Sequence, residues 1–387
     1  SSDVCSSDLL VETEGDAIPL VLRRGGTARR FEAGPRTWLA PWHAEPEAAF
    51  RAVEEALRDT GADRVELVGD DPAEHPEIAR LVEGLVRRHP GLRLTLGDYG
   101  WRQPEASLAR ELLRGKRATF TWTPWAGTER LRRVLNVAVD EERLVEAVAV
   151  ALRGGCHMVR LRFGIGWPTE TEEDLLGLAA LVQRLKALGA QAPAPPRLQV
   201  LLEPFVPRPG TPLQWEAALP PAELEARVAR VRRLVEQGPV QVRCAPAEQV
   251  ALEAALLRAA RPLGDFFRAA AAAGASAGNV AAPWDAAPWW AALATAGLVL
   301  DDLLAARAPG SPLPGDAAAV GLPPAALFEE RARAMTATLT APAERQAEAE
   351  VAVERVAPPA AVSPGVAPAV GAPPESPADA DSRAFGR

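Results

Sequence analysis

The sequence predicts an α/β protein built as a partial, TIM-like (β/α)6-type barrel, and three observations carry that expectation. From Ile18 to about Leu257, short β-rich runs alternate with stretches of helical periodicity. Strands separated by helices of ten or more residues need crossover connections, which pair them in parallel with helices on the outside. No Gly-rich dinucleotide fingerprint follows the first strand, so successive units favour a barrel over a doubly wound nucleotide fold.

The units follow in order. IPLVLR at 18 to 23 is the first strand, followed by a helix from about Glu45 to Thr60. RVELV at 64 to 68 precedes a helix whose apolar residues Ile78, Leu81, Val82, Leu85 and Val86 recur at helical spacing. LRLTL at 92 to 96 precedes a helix at about 104 to 114, and ATFTW at 118 to 122 leads to a helical stretch from Gly127 to about Arg153. MVRLRFGI at 158 to 165 leads to a helix from Thr171 to Leu188, and RLQVLLEP at 197 to 204 to one from Ala222 to Glu236. A seventh pair, VQVRC at 240 to 244 with a helix from about Glu248, continues the rhythm. The expected organisation is a non-native leader over 1–10, the barrel over 11–258, a helical extension over 259–336 and a disordered Ala/Pro-rich tail over 337–387.

Composition excludes several function classes. The 387 residues are 48% hydrophobic and 24% charged, and no apolar run approaches the eighteen or so residues a bilayer demands. The net charge is −8 and basic residues are not gathered into a stripe, so neither membrane nor nucleic acid is an expected partner. Cys5, Cys156 and Cys244 are too few and too scattered for a disulfide framework, which makes a reducing cytoplasm the expected compartment. Cys156 and Cys244 read as small buried apolar residues, and His43, His75, His89 and His157 lack metal-ligand spacing.

Three segments carry a family resemblance: FTWTPWAGTERLRRVLN at 120 to 136, RFGIGWPTETEEDL at 162 to 175 and EPFVPRPGTPLQW at 203 to 215. Together they are similar to the bacterial radical S-adenosylmethionine proteins of the cobalamin-binding type, over about residues 18 to 335. The resemblance implies a barrel of the radical S-adenosylmethionine type, with the backbone edge at Gly164, Ile165 and Gly166 lying against the adenine of the cofactor. It places Thr128 beside that cofactor and a glutamate where Trp125 stands here. VGDDPAEHPEI at 68 to 78 resembles the turn that holds the cofactor's amino group, so that Asp70 or Asp71 would supply a carboxylate. Asp71 before Pro72 equally suits a helix start. Thr169 and Glu172 have capping-box spacing, and the proline-rich loop after Glu203 should pack Phe205 and Trp215 onto the barrel.

The resemblance fails at one point. Family members hold a [4Fe-4S] cluster with three cysteines in a loop after the first strand, but RRGGTARRFEAG at 23 to 34 contains none. The leading expectation is therefore a degenerate, non-catalytic member, a C-terminal fragment that retains at most binding of S-adenosylmethionine. It would carry neither iron–sulfur ligands nor the cobalamin domain that usually lies upstream. Two alternatives stay open: an active radical enzyme on an unknown substrate whose loop is corrupted or whose cluster is supplied otherwise, and a scaffold for a protein partner.

Overall fold

The computed structural model describes residues 17–24, 42–69, 72–96, 112–113, 119–137, 139–192, 195–236, 240–259, 263–276, 284–313 and 324–336. The expected leader, the expected loop at 23 to 34 apart from residues 23–24, the expected helix at about 104 to 114 apart from residues 112–113, and the expected tail lie outside them.

Among the described residues eight strands form one sheet: β1 (Ala17–Arg24), β2 (Trp42–His43), β3 (Arg64–Gly69), β4 (Arg93–Leu96), β5 (Thr119–Trp125), β6 (Met158–Ile165), β7 (Arg197–Pro204) and β8 (Val240–Cys244). Their order is β2-β1-β3-β4-β5-β6-β7-β8, with β2 antiparallel to β1 and every other pair parallel. Sequential parallel strands joined through helices are the arrangement of an opened barrel, and no pairing between β8 and β1 or β2 occurs among the described residues. All seven β-rich runs of the sequence are strands. Only the two-residue β2 is additional, and a run that short carries no alternation to read.

Six helices pack on one face: α1 (Pro46–Thr60), α2 (Ile78–Arg88), α4 (Glu141–Arg153), α5 (Glu172–Ala190), α6 (Pro221–Val235) and α7 (Ala247–Arg258), while α3 (Glu129–Val134) lies at the end of β5. The helical stretch expected from Gly127 to Arg153 is broken in two. Asn136 takes φ 53°, a left-handed conformation that ends a helix, and the Asp140 side chain then accepts from Arg143 N–H to start α4. The core alternates along the strands: Phe120, Trp122, Val159, Leu161, Phe163, Leu198, Val200 and Val242 all face the helices and are buried. Each such side chain contributes about 1.5–3 kcal/mol through the area it removes from water.

Beyond the barrel come α8 (Leu263–Ala272), α9 (Ala287–Thr295), α10 (Leu300–Leu304) and α11 (Pro324–Met335). Arg258 at the end of α7 pins this region down. Its buried guanidinium donates to the carbonyls of Ala305 at 2.6 Å and Gln214 at 3.0 Å, and also to Glu216 O. Burial, with Arg307 nearby, brings its pKa down to about 10. Trp215, expected on the barrel, packs instead against Leu313 and Leu327 of the C-terminal region and donates from Nε1 to Ser311 O at 2.9 Å. The C-terminal segment thus roofs the loop, a partner that lies far along the chain and leaves no local signal.

Candidate functional site

The carboxyl ends of β5, β6 and β7 form the edge at which barrel proteins place ligands. Here that edge is apolar. β5 finishes at Trp125 with φ 59°, and this turn swings the indole edge-on to Trp167, ring centroids 6.5 Å apart and planes at 78°. Trp167 in turn leans on Phe205, the first residue after β7, at 5.0 Å. All three rings are buried, with Leu213 and Ala334 of α11 completing the cluster. Trp125 offers no acceptor, so the plug is held by aromatic packing, to which each such pair adds about 0.5–1.5 kcal/mol beyond its area.

The residues singled out from the sequence take distinct places around this plug. Gly164 carries the indole of Trp167: a Cβ there would fall well inside contact distance of Nε1, so only glycine admits the ring. Ile165 is fully buried in the helix-facing core. Gly166, at φ 76°, donates its N–H to Glu170 Oε2 at 2.9 Å, and the Leu219 side chain covers its α-carbon. Thr128 caps α3: Oγ1 accepts from Leu131 N–H at 3.2 Å and its hydroxyl donates to Asp174. Gly127 beside it lies against the backbone of α5 at Leu178. Gly164 meets Trp167, Ile165 faces the helices and Thr128 turns towards α5. Asp70 and Asp71 lie outside the described residues, next to a single 3-10 turn at Pro72–Glu74.

Two carboxylates missed in the sequence organise the edge. Asp174 is 2% exposed, and it accepts from Thr128, from Thr171 N–H at 2.8 Å and from Arg130. Burial pushes its carboxyl upward, but these donors outweigh it and hold the group below the usual aspartate range. The capping box is therefore Thr171 with Asp174, not Thr169 with Glu172. TETEED offers both registers, and the one placing an acid against Thr128 and Arg130 prevails. Thr169 instead sits at φ 67°, where Arg130 Nη2 donates to its carbonyl at 2.9 Å. Glu170 bonds Arg227 of α6 at 2.7 Å as well as Gly166 N–H. Burial raises its carboxyl despite Arg227 and the N–H groups of Gly166 and Trp167.

The sheet face turned away from the helices is polar, which sequence reading also missed. Thr121, Arg160, Gln199 and Gln241 stand in one row across β5 to β8. Arg160 Nε donates to Gln199 Oε1 at 2.7 Å, and Gln199 Nε2 donates to Gln241 Oε1 at 3.2 Å. One row further on, Arg162 is ion-paired with Glu203 at 3.3 Å. The V-R-L-R-F alternation within β6 was the available signal, because a strand covered on both faces reads as continuously apolar.

The residues present do not fit an iron–sulfur cluster. The loop from Arg23 to Gly34 has no thiol. Cys156 is buried in the core with its thiol pushed up to about 12, and burial pushes Cys244 up to about 11; thiolate ligation requires the opposite shift. The fold does bring His43 and His75 together, rings 5.4 Å apart, which their separation in sequence hid. Both nitrogens of His75 are engaged, Nε2 with Ala44 O at 2.8 Å and Nδ1 as acceptor from Glu77 N–H at 3.0 Å. Among the described residues no group of three His, Cys, Asp or Glu is placed to hold a metal, and no helix is long and apolar enough to cross a membrane.

No family model matches the chain. An uncharacterized protein of Methanocaldococcus jannaschii is 25% identical over 209 residues, covering 52% of this chain and 43% of that protein. Among solved structures, the radical S-adenosylmethionine methyltransferase TsrM from Kitasatospora setae, with cobalamin and a [4Fe-4S] cluster bound, is similar at TM-score 0.39 and 15% identity, over 48% of this chain and 34% of that one. Streptococcus suis SuiB bound to the precursor peptide SuiA is similar at TM-score 0.43 and 14% identity, over 61% and 51%. Coproporphyrinogen III oxidase (HemN) from Escherichia coli, described as a radical S-adenosylmethionine enzyme, is similar at TM-score 0.35 and 14% identity, over 57% and 47%. The chain spans less than half the length of the curated relative it matches.

Proposed function

We propose that this protein is a degenerate barrel of the radical S-adenosylmethionine type that keeps the strand–helix framework but neither assembles a cluster nor cleaves the cofactor. The observation that carries the reading is Trp167: its indole lies on Gly164, on the backbone edge where the resemblance would put an adenine, and Trp125 and Phe205 hold it there. The remaining polar groups of that edge serve the fold, Gly166 N–H on Glu170 and Thr128 on Asp174. The cysteine-free loop at 23 to 34 supports the same conclusion from the sequence.

Anaerobic incubation with iron and sulfide tests this. After desalting the protein should be colourless, should give no heat with S-adenosylmethionine at millimolar concentration, and should form no 5′-deoxyadenosine with a reductant. Recovery of about four irons per chain, or any 5′-deoxyadenosine above a no-protein control, overturns the reading.

A further inference from the structure

We infer that the segment from Gly166 to Thr171, which carries Trp167, is a sprung flap: a strained loop closed over the carboxyl edge and held there by clasps from α3 and α6. The inference concerns the state of the plug rather than a cluster or a cofactor, so it goes beyond the reading above and stands if that reading falls.

The loop is strained. Among the described residues three other than glycine take a left-handed φ, Trp125 at 59°, Asn136 at 53° and Thr169 at 67°. All three adjoin α3: Trp125 precedes it, Asn136 follows it, and Arg130 within it binds Thr169. Asn enters that region readily, whereas a β-branched residue such as Thr169 is forced there by its surroundings. Such positions mark clamps and switches. The closed loop is costly in a second way. Trp167 Nε1 is buried against the α-carbon of Gly164 and has no hydrogen-bond partner among the described residues. Water would satisfy that N–H, so opening removes a desolvation cost that closure imposes.

Two clasps oppose these costs. From α3, Arg130 donates through Nη2 to Thr169 O at 2.9 Å and through Nη1 to Thr169 Oγ1 at 3.3 Å, while Asp174 of α5 holds the same guanidinium. From α6, Arg227 donates to Glu170 Oε1 at 2.7 Å and is steadied by Glu223 at 2.9 Å. Glu170 Oε2 accepts from Gly166 N–H at 2.9 Å, which ties the loop back onto its own start. Adjacent residues, Thr169 and Glu170, are thus gripped from different helices. Gly166, at φ 76°, supplies the hinge at the strand end, and Thr171 at the start of α5 the other.

Amide hydrogen exchange on the full chain, with no added ligand, reads the opening directly. In the unmutated protein the amides of Gly166 to Glu170 should exchange faster than those of Val159 to Phe163. Arg130→Gln and Arg227→Gln should each speed the loop amides about tenfold, or about 1.4 kcal/mol, and leave the β6 amides unchanged. Thr169→Gly and Thr169→Ala separate the spring from the clasps, since both lose Oγ1 and only alanine keeps a Cβ in the left-handed region. The glycine variant should exchange several-fold more slowly at the loop than the alanine variant, and should melt at a higher temperature. A relaxed loop position gives the reverse order, because glycine loosens the unfolded chain. Loop amides as protected as those of β6, acceleration spread evenly through the barrel, or an alanine variant more stable than the glycine one would each overturn the flap. None of these outcomes bears on iron, sulfide or 5′-deoxyadenosine, which the cluster experiment reads.

Discussion

The carboxyl edge of β5 to β7 and the polar face of β6 to β8 are adjacent, yet they treat side chains in opposite ways. At the edge, Trp125, Trp167 and Phe205 exclude water, and buried Glu170 and Asp174 hold the turns together. On the face, arginines and amides are arranged in rows, with Arg162 and Glu203 partly open to solvent. The first region is held by aromatic packing and the second by polar side chains paired across strands. Substitutions should therefore cost more folding energy at the edge than on the face.

The largest expected effect is at Trp167. Truncation to Ala removes a ring buried to 4% exposure and should lower stability by about 4 kcal/mol, read as a reduced urea midpoint at unchanged slope. If Trp167 is what closes the edge, the same variant should take up adenosine measurably at millimolar concentration while the unmutated protein does not. Trp167→Phe, which keeps the volume better, should fall between them. A loss below about 1 kcal/mol would mean the plug is loosely packed and would dissolve the contrast.

Asp174→Asn comes next, at about 2 kcal/mol near neutral pH, because four donor groups lose a charged acceptor. The sign with pH is fixed by the lowered carboxyl. A group depressed in the folded state stabilises above its ordinary value and loses that contribution as pH falls through the folded value. The stability gap between the unmutated protein and the Asp174→Asn variant should close below the ordinary value of 3.8, as followed by melting temperature against pH. Glu170 runs the other way: its raised carboxyl makes ionisation unfavourable to folding, so its contribution is complete below the ordinary value of 4.5 and is lost as pH rises through the folded value. A gap that stays constant from neutral pH to below 3.8 would show that the Asp174 charge is irrelevant.

The smallest effect belongs to the face. Thr121→Val exchanges a buried hydroxyl without a described partner for a methyl of similar shape, so stability should change by less than about 1 kcal/mol in either direction. A loss of about 2 kcal/mol would show that the hydroxyl already has a partner.

Most of the framework was legible in the residues. The seven β-rich runs and the described helices after them announce themselves by period, since a half-buried strand must alternate and a packed helix must repeat its apolar face. The helical break at Asn136 was not, because Asn can enter a left-handed conformation without any partner signal in the sequence. Neither was the register of the capping box, since both threonines of TETEED can cap and the choice rests on Thr128 and Arg130, some forty residues upstream.

By itself the sequence determined the α/β class, the strand order implied by successive crossovers, and the lack of thiols between Arg23 and Gly34. These depend on local period and on residue identity, which no packing can alter. Only the tertiary structure decided that Trp167 lies on Gly164, that Asp174 gathers donors from Thr128, Arg130 and Thr171, and that Thr121, Arg160, Gln199 and Gln241 share a row. Each of those joins residues on separate strands or helices, and their meeting is set by the register of the sheet and by close packing, neither of which is written in any one stretch of chain.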